Sequence, residues 1–333
     1  MFIVENYSTA VVLCFITMLC WGSWANTQKL ASKSWRFELF YWDYVLGILL
    51  CSIISAFSLG SIGSEGRSFM TDIGQVDPIN IASALTGGVI FNLANILLSA
   101  AIAIAGLSVA FPIGIGIALV LGVFINYISS EKGDPVLLAV GVLLITVAII
   151  LNAIAYNKSS SSRSNGSARG ILISIIAGVL MAFFYRFVAS SMDLENFANP
   201  RQGMMTPYTA FFVFSIGIFS SNFIFNTILM RYPIEGPPIT ISQYFKGKIS
   251  THSVGILGGI IWGIGNLLNL IAAEKAGPAI SYGLGQGATL IAAFWGVFIW
   301  KEFQNAPKTV SKFVAAMFFF FIIGIVMLIY AGV

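Results

Sequence analysis

The sequence predicts an all-α polytopic membrane protein with ten transmembrane helices arranged as a 5+5 inverted repeat. Its 333 residues are 58% hydrophobic and only 9% charged, with a mean hydropathy of +0.91. Soluble domains carry about 25% charged residues. Ten apolar segments are each long enough to cross a bilayer, which takes about 20 residues. The two halves of the chain also share an internal repeat.

The ten apolar segments, or spans, establish the helix count, because barrel strands would be half as long and would alternate in hydropathy. We place spans 1 to 10 in order at 8–28, 39–59, 80–103, 107–127, 135–155, 170–191, 207–229, 254–273, 279–300 and 312–332. Residues 1–8 carry no Lys or Arg, and no small-residue cleavage pattern follows span 1. Span 1 is therefore expected to stay in the membrane.

The Lys and Arg residues predict the orientation. Of the seventeen, twelve lie in the loops after spans 1, 3, 5, 7 and 9, four lie in the other loops, and Arg186 lies within span 6. The positive-inside rule makes the first set of loops cytoplasmic and places both termini outside. The Ser-rich segment 157–169 is expected to be a flexible cytoplasmic linker between a first five-helix repeat, 1–156, and a second, 170–333. The expected location is the cell (inner) membrane.

The repeat is visible where 87–119 is aligned with 258–290 without gaps. Eleven of the 33 positions are identical, and Asn95 matches Asn266. Because five spans is an odd number, the second half starts from the opposite side of the membrane, which makes the repeat inverted. Inverted repeats are typical of secondary transporters, whose solutes bind near the midplane between the halves.

Three motifs carry a family resemblance: CWGSWANTQKL at 20–30, YWDY at 41–44 and SYGLGQGATLIAAFWGVFIWKEF at 281–303. With the 5+5 spans, they resemble the drug/metabolite transporter superfamily, in the sugar/ureide branch that holds rhamnose–proton symporters, glucose/ribose porters and plant ureide permeases. The resemblance implies proton coupling and a peripheral position for spans 5 and 10. Ureide permeases have an extended central segment with a nucleotide-loop-like motif. The linker here is short and lacks G-x-x-x-x-G-K-[ST], so nothing supports ATP use.

Polar side chains within spans are costly in lipid and usually face a neighbouring helix or a cavity. Span 3 carries Asn92 and Asn95, and span 8 carries Asn266 and Asn269, each pair three residues apart on one helical face. They either hold the bundle together or line a solute cavity, and both roles can coexist. The other predicted substrate-binding residues are aromatic or amide side chains: Trp21, Trp24, Gln28, Tyr185, Tyr208, Tyr282 and Gln286.

Two positions are predicted hinges. Pro112 in span 4 removes a backbone donor and should kink its helix. Gly283 occupies the equivalent position of span 9, where it permits a matching bend. Kinks near the midplane free carbonyl groups that can face water or solute.

Asp43 stands among aromatic residues near the cytoplasmic end of span 2 and has two interpretations. It is either an interfacial anchor paired with a cation of the preceding loop or a proton-coupling residue whose ionisation follows the opening of the cavity. The cations available to an anchor are Lys29, Lys33 and Arg36.

Arg186 is the charged candidate of span 6. It could extend outward to the membrane surface, pair with Asp193 or Glu274, or bind the solute directly.

These features predict a secondary active transporter that takes up a small neutral polar metabolite, such as a sugar or a ureide, by proton-coupled alternating access. The alternative is a drug or metabolite exporter of the same superfamily. An enzyme is not expected, because His252 and three scattered cysteines form no catalytic or metal-binding constellation. No cofactor and no metal are expected. The expected partners are a small-molecule solute, a proton and the lipid bilayer, without nucleic acid; a homodimer is left open.

Overall fold

The computed structural model describes residues 1–32, 35–159, 166–301 and 306–333. Within them, ten helical spans are long and apolar enough to cross a membrane. Eight spans are single helices, numbered as above: span 2 Phe37–Phe57, span 3 Pro78–Ala105, span 4 Leu107–Ser130, span 5 Pro135–Ser159, span 6 Gly166–Ser190, span 7 Pro207–Arg231, span 8 Ile249–Ala276 and span 10 Lys308–Tyr330. The predicted all-helical membrane fold is confirmed.

Spans 1 and 9 are interrupted. Span 1 consists of Tyr7–Ser23 and Ala25–Ala31, and span 9 consists of Pro278–Gln286, Ala288–Phe294 and a π-helical turn, Trp295–Ile299. Two short helices, Phe69–Ile73 and Ile241–Phe245, lie in loops. The predicted linker falls mainly on residues 160–165, which lie outside the described residues, and the described residues on either side of them are helical.

Equivalent spans of the two halves, such as spans 3 and 8, pack against equivalent neighbours. Span 3 packs on spans 6 and 7, and span 8 packs correspondingly on spans 1 and 2. Span 4 packs on span 6 as span 9 packs on span 1, and spans 4 and 9 contact each other. This pattern is consistent with the predicted inverted repeat. Spans 5 and 10 pair at the edge and have the least buried apolar windows, 28% and 33%.

Two glycine crossings show the same relation at atomic scale. A side chain on Gly88 would overlap the carbonyl oxygen of Phe214 and lie 3.0 Å from the Cα of Gly217. At the aligned position of the second half, a side chain on Gly259 would overlap the carbonyl of Tyr44. Glycine therefore lets span 3 cross span 7, and span 8 cross span 2, at backbone contact.

The turns that follow spans 3 and 8 are also equivalent. Gly106 has φ 85° and ψ 156°, and Gly277 has φ 79° and ψ 152°. A positive φ is strained for residues with a side chain, so glycine permits each helix to reverse without intervening residues. The two hairpins, spans 3–4 and spans 8–9, meet at the centre of the bundle.

Candidate functional site

A small cavity lies where spans 1, 3, 4, 6, 8 and 9 meet. The described residues that line it are Trp21, Trp24, Phe91, Asn95, Phe111, Ile115, Met181, Phe184, Trp262, Gln286 and Ala288. The lining is aromatic and amide-bearing, and none of these side chains is charged, so it suits a small uncharged solute.

The cavity lies between equivalent positions of the two halves. Phe91 and Trp262, which are aligned with each other in the repeat, pack with ring centroids 4.3 Å apart. Ile115 and Gln286, aligned in the same way, both line the cavity. One half therefore contributes an apolar side chain where the other contributes an amide.

Trp21 forms a flat wall of the cavity. Its ring is stacked on Trp262 at 5.8 Å between centroids and 8° between planes. A side chain on Gly265 or Gly285 would come within 2.8 Å of the Trp21 ring, so these glycines leave the space that it occupies. The buried Trp21 Nε1 has no hydrogen-bond partner among the described residues. A buried indole N–H normally has one, so this donor is available to a solute.

Asn95 provides an amide at the opposite side of the lining. Its Nδ2 donates to the Tyr41 hydroxyl at 3.4 Å, and that hydroxyl donates to the backbone carbonyl of Asn92 at 3.3 Å. Trp24 packs against Tyr44 at 4.8 Å. The orientation of Asn95 is thus supported by span 2, although span 2 contributes no residue to the cavity lining.

The other three asparagines lie outside the lining. Asn92 donates to Ser221 at 2.9 Å, and Asn269 donates to the carbonyl of Ser281 at 2.7 Å, so both connect spans. Asn266 is 1% exposed, and both its amide atoms lack a partner among the described residues. Asn266 lies one helical turn beyond Trp262, the residue stacked on Trp21, and is the polar side chain nearest to Trp262 in the sequence.

Gln28 lies one helical turn beyond Trp24, on the predicted cytoplasmic side of the cavity. Its Nε2 donates to the Ser99 carbonyl at 2.8 Å, one turn below the cavity residues of spans 1 and 3. It also lines a cleft on the predicted cytoplasmic side, with Trp35 and Arg36. The Gln28–Ser99 bond therefore lies between the cavity residues and this cleft.

Tyr282 and Tyr185 lie outside the cavity lining, and both are fully buried. The Tyr282 hydroxyl lies 3.1 Å from the carbonyl of Met181 and 3.3 Å from that of Ala118, so its one proton can be donated to either span 6 or span 4. Tyr185 donates to the carbonyl of Asn269 at 3.3 Å. Both tyrosines therefore connect spans.

Tyr208 lies away from the cavity, and the two hinge candidates lie within helical segments. The Tyr208 hydroxyl donates to the carbonyl of Phe2 at 2.9 Å near the N-terminus, away from the cavity lining. The helix of span 4 continues through Pro112. Span 9 is helical at Gly283 and is interrupted at Gly287, where a side chain would lie 2.8 Å from the Leu284 carbonyl.

Asp43 lies outside the cavity lining, in a cluster on the predicted cytoplasmic side. Its carboxylate is 2.9 and 3.0 Å from His252 Nδ1 and accepts a 2.6 Å bond from the Tyr244 hydroxyl. Burial, and then the bond to Asp43, raise the pKa of Tyr244, which stays a donor at neutral pH.

The cations expected to anchor Asp43 have other positions. Arg36 binds Glu38, so its predicted pairing with Asp43 is wrong. The Lys29 ammonium lies 4.4 Å from the centroid of a tryptophan ring. Lys33 lies outside the described residues. The partner of Asp43 in the described part of the chain is a histidine that follows it by more than two hundred positions.

Arg186 is exposed on the predicted outer side and lines a pocket there with Ser129, Ser130 and Ser190. Its expected partners are engaged elsewhere. Burial would raise the pKa of Asp193, but hydrogen bonds from Arg201 outweigh it and lower that pKa.

Glu274 pairs with Lys275 at 2.7 Å. Of the three alternatives for Arg186, the structure therefore does not show pairing with Asp193 or Glu274.

Sequence reasoning missed much of the aromatic lining. Trp262 and Phe91 occupy matched positions of the repeat, and both are aromatic, which was the available signal. It also missed Glu38, which is fully buried, and Asn222, whose two amide atoms are buried without a partner among the described residues. Composition alone does not reveal either, because each stands in an otherwise apolar span.

A ten-span bundle with a central cavity between the two halves is typical of membrane transporters. A solved crystal structure shares the fold, with a TM-score of 0.62, 14% identity and coverage of 97% of this chain and 96% of its own. The ureide permease family model matches residues 40–169 and 157–331. The chain belongs to the ureide permease family and is a membrane transporter, not an enzyme.

Individual relatives agree with this assignment. Ureide permease 2 of Arabidopsis thaliana is 25% identical over 391 aligned positions, covering 98% of both chains. Ureide permease 1 of the same plant is 24% identical, with the same coverage. A Streptococcus pyogenes protein assigned to sugar uptake is 25% identical over 67% of this chain and 69% of its own. The predicted resemblance to the sugar/ureide branch is confirmed.

Proposed function

We propose that this permease takes up a small neutral cyclic ureide through the central cavity by alternating access. The uncharged, aromatic and amide-bearing cavity supports this most directly. Ureides present a flat face with carbonyl and N–H groups, which match an indole wall, an unpartnered indole N–H and amide side chains. The names of the curated relatives give the ureide class, and they do not favour an exporter.

A neutral sugar is the second candidate solute. Aromatic faces also pack against sugar rings, and one relative is assigned to sugar uptake. The ureide permeases among the relatives, which match nearly the whole chain, favour the ureide.

We further propose proton coupling, with Asp43 as the coupling carboxylate, and residence in the cell membrane with both termini outside. Asp43 is 1% exposed, so a change in its protonation would alter its contacts at the cytoplasmic end of span 2. Arg186, at the predicted outer end of span 6, would attract polar solutes to the outer pocket. These roles follow from position and residue chemistry.

The test is uptake into proteoliposomes of radiolabelled hydantoin, a cyclic ureide, and radiolabelled glucose, with and without a proton gradient that is acidic on the outside. We expect saturable hydantoin uptake that the gradient stimulates. Asp43→Asn should retain hydantoin exchange and lose the stimulation. Transport of neither probe would contradict the proposed function, and unchanged stimulation in Asp43→Asn would remove the coupling role alone.

A further inference from the structure

The cluster around Asp43 joins the two halves of the protein. Asp43 belongs to span 2, whereas Tyr244 lies in the short helix Ile241–Phe245 and His252 lies in the first turn of span 8. Trp35 packs edge-on against the His252 ring at 5.2 Å, and Tyr244 does so at 4.7 Å. We call these four residues the cytoplasmic clasp. Its polar contacts cross between the repeats at one face of the membrane.

The opposite face has an inter-half contact of different chemistry. Arg67 Nε binds Asp72 at 2.8 Å, and the other Asp72 oxygen accepts from the Thr206 backbone N–H at 2.8 Å. Arg67 also donates to the Met204 carbonyl at 2.7 Å. Arginine and aspartate side chains are ordinarily charged across the physiological pH range, whereas histidine is the residue type that commonly changes charge within it. Of these two contacts between the halves, only the cytoplasmic clasp contains a histidine.

The charged groups around His252 leave Asp43 as its ionic partner. Tyr244 remains a neutral donor, because burial and the bond to Asp43 raise its pKa. Arg36 is paired with Glu38. Lys246 and Lys248, which follow the short helix, are exposed to solvent.

The His252 side chain is 20% exposed, so protons from the cytoplasm reach it directly, while the Asp43 side chain is 1% exposed. Protonation of the imidazole adds an ion pair to a hydrogen bond that is present in either state.

We propose that His252 is a proton-binding residue of the transport cycle, which acts with Asp43 to hold the two halves together on the cytoplasmic side. This proposal rests on the proposed transport function and assigns the pH response to a particular residue pair. When His252 is protonated, the clasp is stronger and opening toward the cytoplasm is slower. When His252 is neutral, the hydrogen bond remains without the ionic contribution, and opening is faster.

The first experiment measures hydantoin exchange in proteoliposomes with equal pH on both sides, so that no gradient drives transport. Wild-type exchange should be about three- to tenfold slower at about pH 5.5 than at about pH 7.5. His252→Asn keeps an N–H donor near Asp43 but does not titrate, so its rate should be independent of pH. Ser253→Ala, an exposed neighbour, should keep the wild-type profile. A wild-type profile in His252→Asn would overturn the proposal.

The second experiment does not depend on transport. It measures hydrogen–deuterium exchange of the backbone amides of residues 241–252, corrected for the intrinsic pH dependence of amide exchange. In the wild type, these amides should be better protected at the lower pH. In His252→Asn, their protection should be the same at both pH values. If protection depends on pH in the wild type alone but neither hydantoin nor glucose is exchanged, the clasp is supported and the proposed function is contradicted. Equal protection in both proteins would overturn the clasp whatever the transport result.

Discussion

Trp21 lines the cavity and its indole N–H has no partner among the described residues, so removal of this donor tests the solute-binding role of the wall. Trp21→Phe keeps an aromatic face and loses one donor. We expect hydantoin to bind about five- to tenfold more weakly, because one hydrogen bond contributes about 1 kcal/mol. Thermal stability should fall moderately, because the smaller ring leaves unfilled space beside Trp262 although no protein hydrogen bond is lost.

Trp42→Phe is the matched control, because Trp42 Nε1 donates to the Met230 sulfur at 3.3 Å, away from the cavity lining. Its hydantoin affinity should equal that of the wild type. If Trp21→Phe also binds hydantoin normally, Trp21 is a packing residue and the donor assignment is wrong. Binding can be measured by titration of the purified protein in detergent.

Gly285 tests whether the orientation of the Trp21 ring matters. A methyl group there would lie 2.8 Å from Trp21 Cζ3 and 2.9 Å from Asn269 Nδ2, so the ring must shift. We expect Gly285→Ala to lower the hydantoin transport rate by about tenfold, because overpacking forces side chains from their preferred positions. Gly74→Ala, whose nearest contact would be 3.4 Å, should transport normally. Equal rates for both variants would contradict the role of the ring.

At this scale, the sequence predicted the cavity residues whose polarity is unusual for a membrane span. Trp21, Trp24, Asn95 and Gln286 line the cavity as expected. The sequence could not separate Tyr208 from these cavity residues, because it is also an aromatic residue with a polar group in an apolar span. Only the tertiary packing directs its hydroxyl to the carbonyl of Phe2. Trp262 was missed because a tryptophan in an apolar span has many ordinary roles.

At the scale of helices, the two glycine crossings make a paired prediction. Gly88→Ala and Gly259→Ala should each lower the free energy of unfolding by about 1–3 kcal/mol or more, because each methyl group would overlap a backbone carbonyl of the facing span. Similar losses are expected, since the positions are equivalent in the repeat. Thermal unfolding in detergent measures both.

Val89→Ala is the control for these crossings, because Val89 is next to Gly88 and 37% exposed on the outside of the bundle. It should unfold close to the wild-type temperature. A stable Gly259→Ala beside an unstable Gly88→Ala would show that the two crossings are not equivalent.

The span boundaries were predictable within a few residues, because hydropathy follows bilayer thickness. The interruption of span 9 was not. Gly283, Gly285 and Gly287 are equally permissive in sequence, and the break falls at Gly287, where the side chain of Met18 lies near. Hydropathy also gives no sign of the π-helical turn at Trp295–Ile299, since its residues are as apolar as those of an α-helix.

For the whole molecule, the charge distribution predicts which face lies outside. Ser130 lines the predicted outer pocket, and Ser32 lines the predicted cytoplasmic cleft. In sealed cells, a membrane-impermeant maleimide should label Ser130→Cys directly and Ser32→Cys only after permeabilisation. The wild type is the background control, with Cys14 and Cys51 buried and Cys20 half-buried. The reverse pattern would invert the orientation and place the cytoplasmic clasp outside.

The same two variants test alternating access, because buried hydrogen bonds join the spans on either side of the cavity residues. The Gln28–Ser99 bond lies on one side, and Tyr282 lies between spans 4 and 6 on the other. A carrier exposes its solute site to one face at a time. Saturating hydantoin should therefore change the labelling rates of Ser32→Cys and Ser130→Cys in opposite directions, measured in permeabilised membranes. A channel opens both faces together, so parallel changes would contradict the carrier mechanism.

The Ser32→Cys variant also tests the cytoplasmic clasp. If His252 strengthens the clasp when protonated, lowering the pH should slow labelling of Ser32→Cys. The labelling rate should not depend on pH when His252→Asn is added to the same variant.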